Sequence, residues 1–213
     1  ELRTPVAILR GEAEVALRRP RTADEYQAVI ESSVAECERL SAMIDNLLFL
    51  ARAEASKELA TRTRFDGRAA IDKITGYFGM IAEEHRINIQ CEGAAEIYAD
   101  PLLFSRAVSN LVENALRYSP DGGEIRIAIS VDAREAHVTV QDDGPGIAAA
   151  DLPSVFDRFY RADPSRSSQG SGLGLALVKS IADLHGGSAR AENASGGGAI
   201  VKLVFPNRKT EAA

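Results

Sequence analysis

Apolar residues open the chain with alternating spacings of four and three: Leu2, Val6, Leu9, Ala13 and Ala16. That is a heptad seam, and it predicts an amphipathic helix. The run Arg18-Arg19-Pro20-Arg21-Thr22 ends it, because proline cannot continue a helix interior. Thr22 or Asp24 can cap the next helix. A second seam follows through Tyr26, Ile30, Ser33, Cys37, Leu40, Ile44, Leu47 and Ala51. It predicts about 45 Å of helix. Two such helices form a thin hairpin with apolar surface to spare, which dimerisation into a four-helix bundle covers. A monomeric hairpin packed on the rest of the chain is the alternative.

The pattern changes after residues 55–64, which are polar and read as a linker or helix end. Residues 66–85 have helical periodicity, and INIQCE at 87–92 alternates like a strand. Asp100-Pro101 opens a helix that runs to about Tyr118. PDGG at 120–123 is turn chemistry. Two alternating strands follow, EIRIAISV at 124–131 and HVTVQDD at 137–143, joined near Asp132 to Glu135. A helix over 174–186 stops at Gly186-Gly187. SARAEN and AIVKLVF close the pattern as strands around Gly196-Gly197-Gly198. The second region is therefore a layer of helices on a mixed or antiparallel sheet, and the fold class is α+β.

Composition narrows the function. The net charge of -6 argues against a nucleic-acid-binding module, which carries a basic face. The two cysteines, Cys37 and Cys91, fit no zinc spacing and suggest a reducing cytosol. The longest apolar runs, such as LLFLA at 47–51, are too short to span a bilayer, and no signal peptide is evident. The chain begins at Glu1 rather than Met, so it is expected to be a piece of a longer protein.

Candidate chemistry lies in three segments. In NLVENALRYSP, the residues Asn110, Glu113, Asn114 and Arg117 stand three, four and seven apart and share a helical face. Val108, Leu111, Val112 and Leu116 lie opposite, as burial requires. The polar face suits a divalent metal with phosphate: Asn114 can offer oxygen to Mg²⁺, and Arg117 can meet phosphate oxygens. A solvated helix face is the plain alternative. DDGPGI at 142–147 follows a strand, and Gly144 and Gly146 let the backbone approach a ligand closely. Asp142 can accept a hydrogen bond from an exocyclic amine there, although an ordinary turn has the same composition.

QGSGLGLAL at 169–177 places Gly170, Gly172, Leu173 and Gly174 before a helix that opens near Leu175. Free N–H groups at such an end bind phosphate. No strand pattern precedes it, so a mobile lid over a nucleotide fits better than a dinucleotide-binding turn. Between the glycine segments, Phe156, Phe159 and Tyr160 can pack the base of that lid, and Arg158 and Arg161 can reach phosphates.

The order of these segments resembles the sensor histidine kinases of two-component systems. NLVENALRYS is similar to their N box, DDGPGI and GSGLGL to their glycine boxes, and FDRFYR to their F box. ELRTP at 1–5 is similar to their phosphoacceptor box without its histidine. RGEAEVAL and ERLSAMIDNLLFLARAE resemble the heavy-metal-sensing kinases among them.

The resemblance implies a dimerisation and histidine-phosphotransfer hairpin over residues 1–57. It implies a catalytic ATP-binding domain over 65–207, a two-layer α/β sandwich shared with gyrase and heat-shock-chaperone ATPases. Asp142 would read adenine N6, Asn114 would ligate Mg²⁺, and Asn110 would support that cluster. Arg117 and Arg161 would neutralise phosphate, Tyr118 and Ile147 would wall the nucleotide, and Gly172 and Gly174 would cradle phosphates. Phosphoryl transfer needs mainly positioning and charge stabilisation, which this set supplies.

The three histidines, His85, His137 and His185, all lie outside residues 1–57. The acceptor would be the residue just before Glu1, so the chain as it stands is expected to bind ATP without phosphorylating its own hairpin. By resemblance, Glu1 would polarise the acceptor imidazole and Thr4 would orient water for dephosphorylating the partner. Helix capping is the alternative for both. The implied partners are a second copy of the hairpin and a response-regulator receiver domain, with no nucleic acid. The implied setting is cytoplasmic, with the parent protein in the bacterial inner membrane through an upstream segment. Two competing readings are a gyrase-like conformational ATPase, with Glu113 as water-activating base, and a dimeric interaction module regulated by nucleotide.

Overall fold

The structure is a computed structural model that describes residues 3–55, 60–132, 134–161 and 171–207. The chain forms two compact units, Glu1–Ala51 and Arg52–Ala213.

The first unit contains helix α1 (Arg3–Leu17) and most of helix α2 (Ala23–Ala55). A capping box starts α2. The Thr22 hydroxyl accepts from the Glu25 amide at 3.2 Å, while the Glu25 carboxylate accepts from the Thr22 amide at 2.8 Å. Two orphan donors are thereby satisfied, and the cap is Thr22 rather than Asp24. Ser32 donates to Glu12 at 3.0 Å across the hairpin. The expected α2 seam is not the buried stripe of the single chain. Tyr26, Ile30, Cys37 and Ile44 are exposed, whereas Glu36, Met43 and Leu50 are buried. The buried stripe is offset by one residue, about 100° of helix rotation.

The second unit begins with strand β1 (Thr63–Asp66) and helix α3 (Gly67–Glu84). Strands β2 (Asn88–Glu92) and β3 (Glu96–Ala99) precede helix α4 (Pro101–Tyr118). Strands β4 (Glu124–Val131) and β5 (Glu135–Asp142) form a hairpin. Helix α5 (Gly174–Leu184) is followed by β6 (Ser188–Asn193) and β7 (Ala199–Pro206). The main sheet has the order β2-β4-β5-β7-β6 and is mixed, with β2 and β4 parallel and the other pairs antiparallel. The expectation of helices on a mixed sheet holds.

One feature departs from it: β1 and β3 pair antiparallel as a separate two-stranded sheet, with Arg64 opposite Tyr98. The polar segment 55–64 had no strand pattern, and four-residue strands carry too few alternations to register one. The strand expected at 137–143 runs over Glu135–Asp142 instead, because Asp132 caps the turn before it. Its Oδ1 accepts from the amides of Arg134 and Glu135, both at 2.8 Å.

Alternation makes the sheet one-sided. Ile125, Ile127 and Ile129 of β4, with Ala136, Val138 and Val140 of β5, are buried, while Arg126 and Ala128 between them are exposed. Phe104, Val108, Leu111 and Val112 of α4 and Leu177, Val178 and Ile181 of α5 supply the helical side of the core. Each such large side chain contributes about 2 kcal/mol of transfer free energy. Capping orients α4 as well. The Asp100 Oδ1 accepts from the Leu102 amide at 3.0 Å and the Leu103 amide at 3.1 Å, and Pro101 occupies the first turn. The α4 and α5 helices are thus held by their apolar faces, which leaves selected polar residues of α4 pointing at the start of α5.

Candidate nucleotide site

Asn110 and Asn114 sit one helical turn apart on α4, above buried Leu111 and Ala115. The Asn110 amide nitrogen donates to the Arg106 carbonyl at 2.8 Å, which fixes its Oδ1 outward. A Cβ placed on Gly174 would lie 3.1 Å from that Oδ1, and 3.7 and 3.9 Å from the Asn114 amide nitrogen and oxygen. Both asparagines therefore converge on the first residue of α5. Leu173, before it, makes no side-chain cap, and among the described residues no side chain accepts from the opening N–H groups of α5. Two amide oxygens beside an uncapped helix N-terminus form a donor set for a hard cation and an anion together. On chemistry, these residues fit magnesium and phosphate.

Two further segments frame this corner. Phe159 has φ of 61° and its amide donates to the Gly172 carbonyl at 2.9 Å. A Cβ on Gly172, whose φ is 64°, would meet the Phe159 carbonyl carbon at 2.7 Å. The aromatic segment and the second glycine segment are thereby stitched at their backbones. Leu173 is fully buried, so it anchors the glycine segment rather than lining an open surface. The Tyr160 hydroxyl donates to Asp151 at 2.5 Å, and that partner pushes the Tyr160 pKa up.

At the end of β5, Asp142 is half-buried. Its Oδ1 accepts from the Gly144 amide at 2.8 Å and the Ala199 amide at 3.1 Å. Burial raises its pKa above the usual carboxylate value, and repulsion from Asp143 adds to this, while the two backbone donors pull the other way. The second oxygen, Oδ2, has no protein hydrogen-bond partner among the described residues and is available to a donor. A Cβ on Gly144 would meet Asp142 Oδ1 and the Tyr118 carbonyl oxygen, each at 2.8 Å, so only glycine allows this turn. Ile147 is partly exposed, Tyr118 is exposed, and Gly146 has φ of 73°.

The remaining residues fall elsewhere. Glu113 is exposed and pairs with Arg117 at 2.7 Å, so the four-residue polar face divides into an asparagine pair and an ion pair. Arg158 is exposed and pairs with Glu54 within the same unit. Arg161 is half-buried and engaged, Leu175 is half-buried in the first turn of α5, and Thr4 is exposed on α1. Glu1 and Gly170 lie outside the described residues.

One residue of this region has no sequence motif to announce it. Asn193, at the end of β6, accepts from the Ile147 amide and donates to the Ile147 carbonyl, both at 2.7 Å. It holds the first glycine segment by a two-pronged backbone bond across 46 residues.

The site's surroundings have known counterparts. Residues 99–209 match the family described as histidine kinase-, DNA gyrase B-, and HSP90-like ATPase, and residues 1–56 match the His Kinase A (phospho-acceptor) domain. Over 196 residues the chain is 47% identical to the sensor protein IrlS of Burkholderia pseudomallei, covering 91% of this chain and 42% of IrlS. It is 41% identical to the sensor protein CzcS of Cupriavidus metallidurans, covering 100% of this chain and 45% of CzcS. The chain thus spans less than half the length of either relative. The Acinetobacter baumannii histidine kinase AdeS shares its fold, with a TM-score of 0.80 at 24% identity over 98% of each chain. With a phospho-acceptor domain joined to an ATPase domain of this type, the chain belongs to the sensor histidine kinases.

Proposed function

We propose that residues 65–207 bind magnesium ATP and deliver its γ-phosphoryl group to a histidine that would stand just before Glu1 at the start of a dimeric hairpin formed by residues 1–57, from which it passes to a response-regulator aspartate. The observation that carries this reading is the convergence of Asn110 and Asn114 on Gly174 at the uncapped start of α5. Bound magnesium ATP supplies the transferable phosphoryl group, and the protein's own residues supply position and charge. Asn114, with no hydrogen bond to another described residue, offers its amide oxygen to magnesium, and the Asn110 Oδ1 supports it. The α5 N–H groups and Gly172 receive phosphate oxygens. Asp142 Oδ2 accepts from the adenine amine, between Ile147 and Tyr118. Arg161, and Arg117 from within its pair with Glu113, supply the positive charge that offsets phosphate.

The phospho-acceptor domain favours the kinase over a gyrase-like ATPase or a nucleotide-regulated interaction module. The exposed seam of Tyr26, Ile30, Cys37 and Ile44 supports dimerisation through the hairpin. No described helix is long and apolar enough to cross a membrane, and we place this part of the protein in the cytoplasm. The likeness to CzcS agrees with a heavy-metal sensor as the parent protein. Residues 1–57 contain no histidine, so the hairpin itself offers no acceptor imidazole.

Calorimetric titration of the chain with magnesium ATP tests the reading. Saturable uptake that Asn114→Ala weakens about tenfold is expected. Adding one histidine before Glu1 should then yield acid-labile phosphate on the hairpin and transfer to a receiver domain. Absence of nucleotide uptake by the folded chain refutes the proposal.

A further inference from the structure

The helix pair that carries the asparagines and Gly174 is joined a second time, at its far end. His185 follows α5 directly and is buried. Its Nδ1 lies 2.7 Å from the Ile181 carbonyl, which can only accept, so Nδ1 bears the proton. Its Nε2 therefore accepts, and the donor is the Asp100 amide at 3.0 Å. Asp100 is the cap of α4, whose own N–H the helix leaves unused. The imidazole stands edge-on to the Phe205 ring at 5.2 Å. Gly187 fixes the backbone just beyond, since a Cβ there would lie 1.8 Å from the Val204 carbonyl oxygen.

The segment that leads into β1 grips the same joint from both sides. The Thr61 amide donates to Asp100 Oδ2 at 2.8 Å, and Arg62 donates to the Leu184 carbonyl at 2.8 Å. The chain thus ties together the end of one helix and the start of the other, where the imidazole bridges them.

The two joints lie at opposite ends of one antiparallel helix pair. Asn110 is ten residues beyond Asp100, about 15 Å along α4, and Gly174 is eleven residues before His185, about 16 Å along α5. The lengths match to within one residue rise. An axial slip at the His185 end therefore appears undiminished at Gly174, because helices transmit displacement along their axes far better than they compress.

We propose that His185 is a positioning residue for nucleotide binding: by bridging Asp100 and Ile181 it locks α5 against α4 and so sets the distance from Gly174 to Asn110 and Asn114. This rests on the nucleotide-binding reading above. It deepens that reading by assigning part of the affinity to a residue that touches neither metal nor phosphate.

The lock has a built-in proton dependence. Protonation would put an N–H on Nε2 directly against the Asp100 N–H. Burial lowers the His185 pKa below its ordinary value of 6.5. The hydrogen bond to the Ile181 carbonyl works against this and raises it; of the charged groups facing the ring, Arg62 lowers it further and Asp100 raises it, and Phe205 brings no charge. The joint is complete above 6.5 and is lost as pH falls through the lower folded value.

Titration calorimetry on the full chain with magnesium ATP separates the outcomes. His185→Leu, which keeps the apolar contact and removes the acceptor, is expected to raise Kd about tenfold while thermal unfolding stays cooperative. His185→Gln, which keeps a neutral acceptor, is expected to stay within about threefold of the parent chain. On acidification the parent chain should lose affinity more steeply than His185→Gln, which lacks the imidazole titration. Unchanged affinity in His185→Leu overturns the proposal, as does a glutamine variant as weak as leucine or parallel pH profiles. Should His185→Leu fail to fold, the glutamine variant and the pH comparison decide. A parent chain that takes up no nucleotide refutes the functional reading itself, whereas a binding parent with an indifferent leucine variant refutes only the lock.

Discussion

Asp142→Asn and Asp142→Ala together separate what this carboxylate does for the fold from what it does for a ligand. Its Oδ1 satisfies two backbone donors, the amides of Gly144 and Ala199, and Ala199 is buried. Alanine orphans both. At roughly 1–3 kcal/mol for each donor left unpaired, the loss is about 3 kcal/mol of stability. Asparagine keeps an oxygen for the same two donors and alters only the outer atom, from the Oδ2 acceptor to an N–H₂ donor. Its stability should fall by less than about 1 kcal/mol, helped by removal of the charge that burial and Asp143 disfavour. Against an adenine amine, however, the change replaces a charge-assisted bond by two opposed donors, which costs about 1.5–3 kcal/mol. That is roughly a 10- to 150-fold rise in Kd. Thermal unfolding and calorimetric titration with magnesium ATP on the same samples measure both quantities. An asparagine variant that melts like the parent and binds ATP within about twofold would refute the assignment of Asp142 to the adenine amine.

Other consequences are as direct. Gly198 has φ of 85°, and a Cβ there would sit 1.8 Å from the Asp142 carbonyl oxygen; Gly198→Ala should cost about 3 kcal/mol or more in chemical denaturation and weaken nucleotide uptake. Thr22→Ala removes half of the capping box and should lower stability by about 1 kcal/mol, read from the unfolding of the hairpin. Backbone donors from Arg134 and Glu135, with His137, hold the Asp132 pKa down, from 3.8 to about 2. Its stabilisation is therefore present above 3.8 and disappears as pH falls through about 2, so the melting-temperature gap between the parent and Asp132→Ala should close over that interval.

Much of this could be read before any coordinates. The heptad seams mark α1 and α2, Asp100-Pro101 marks the start of α4, and strict alternation marks β4 and β5. These signals are local: each depends on residues within one or two turns or on a period of two. The ordered motifs likewise name Asn110, Asn114, Asp142 and the glycines because their chemistry is written in residue type and spacing. Where a prediction needed a specific partner, it was incomplete. Strands β1 and β3 went unseen because each is four residues long and takes its hydrogen bonds from the other. The helical wheel placed Glu113 and Arg117 beside the two asparagines, yet they turn to each other, since a wheel gives an angle and not a partner. Asn193 and His185 had no motif at all.

Sequence alone determined the elements, the one-sided amphipathic faces and the candidate groups proposed for a nucleotide. Tertiary structure decided which of those groups meet: Asn110 with Gly174, Ile147 with Asn193, and Asp100 with His185 across 85 residues. The physical reason is that local propensity is set by neighbours along the chain. Long-range juxtaposition is set by how buried faces of α4, α5 and the sheet interlock, which no spacing encodes.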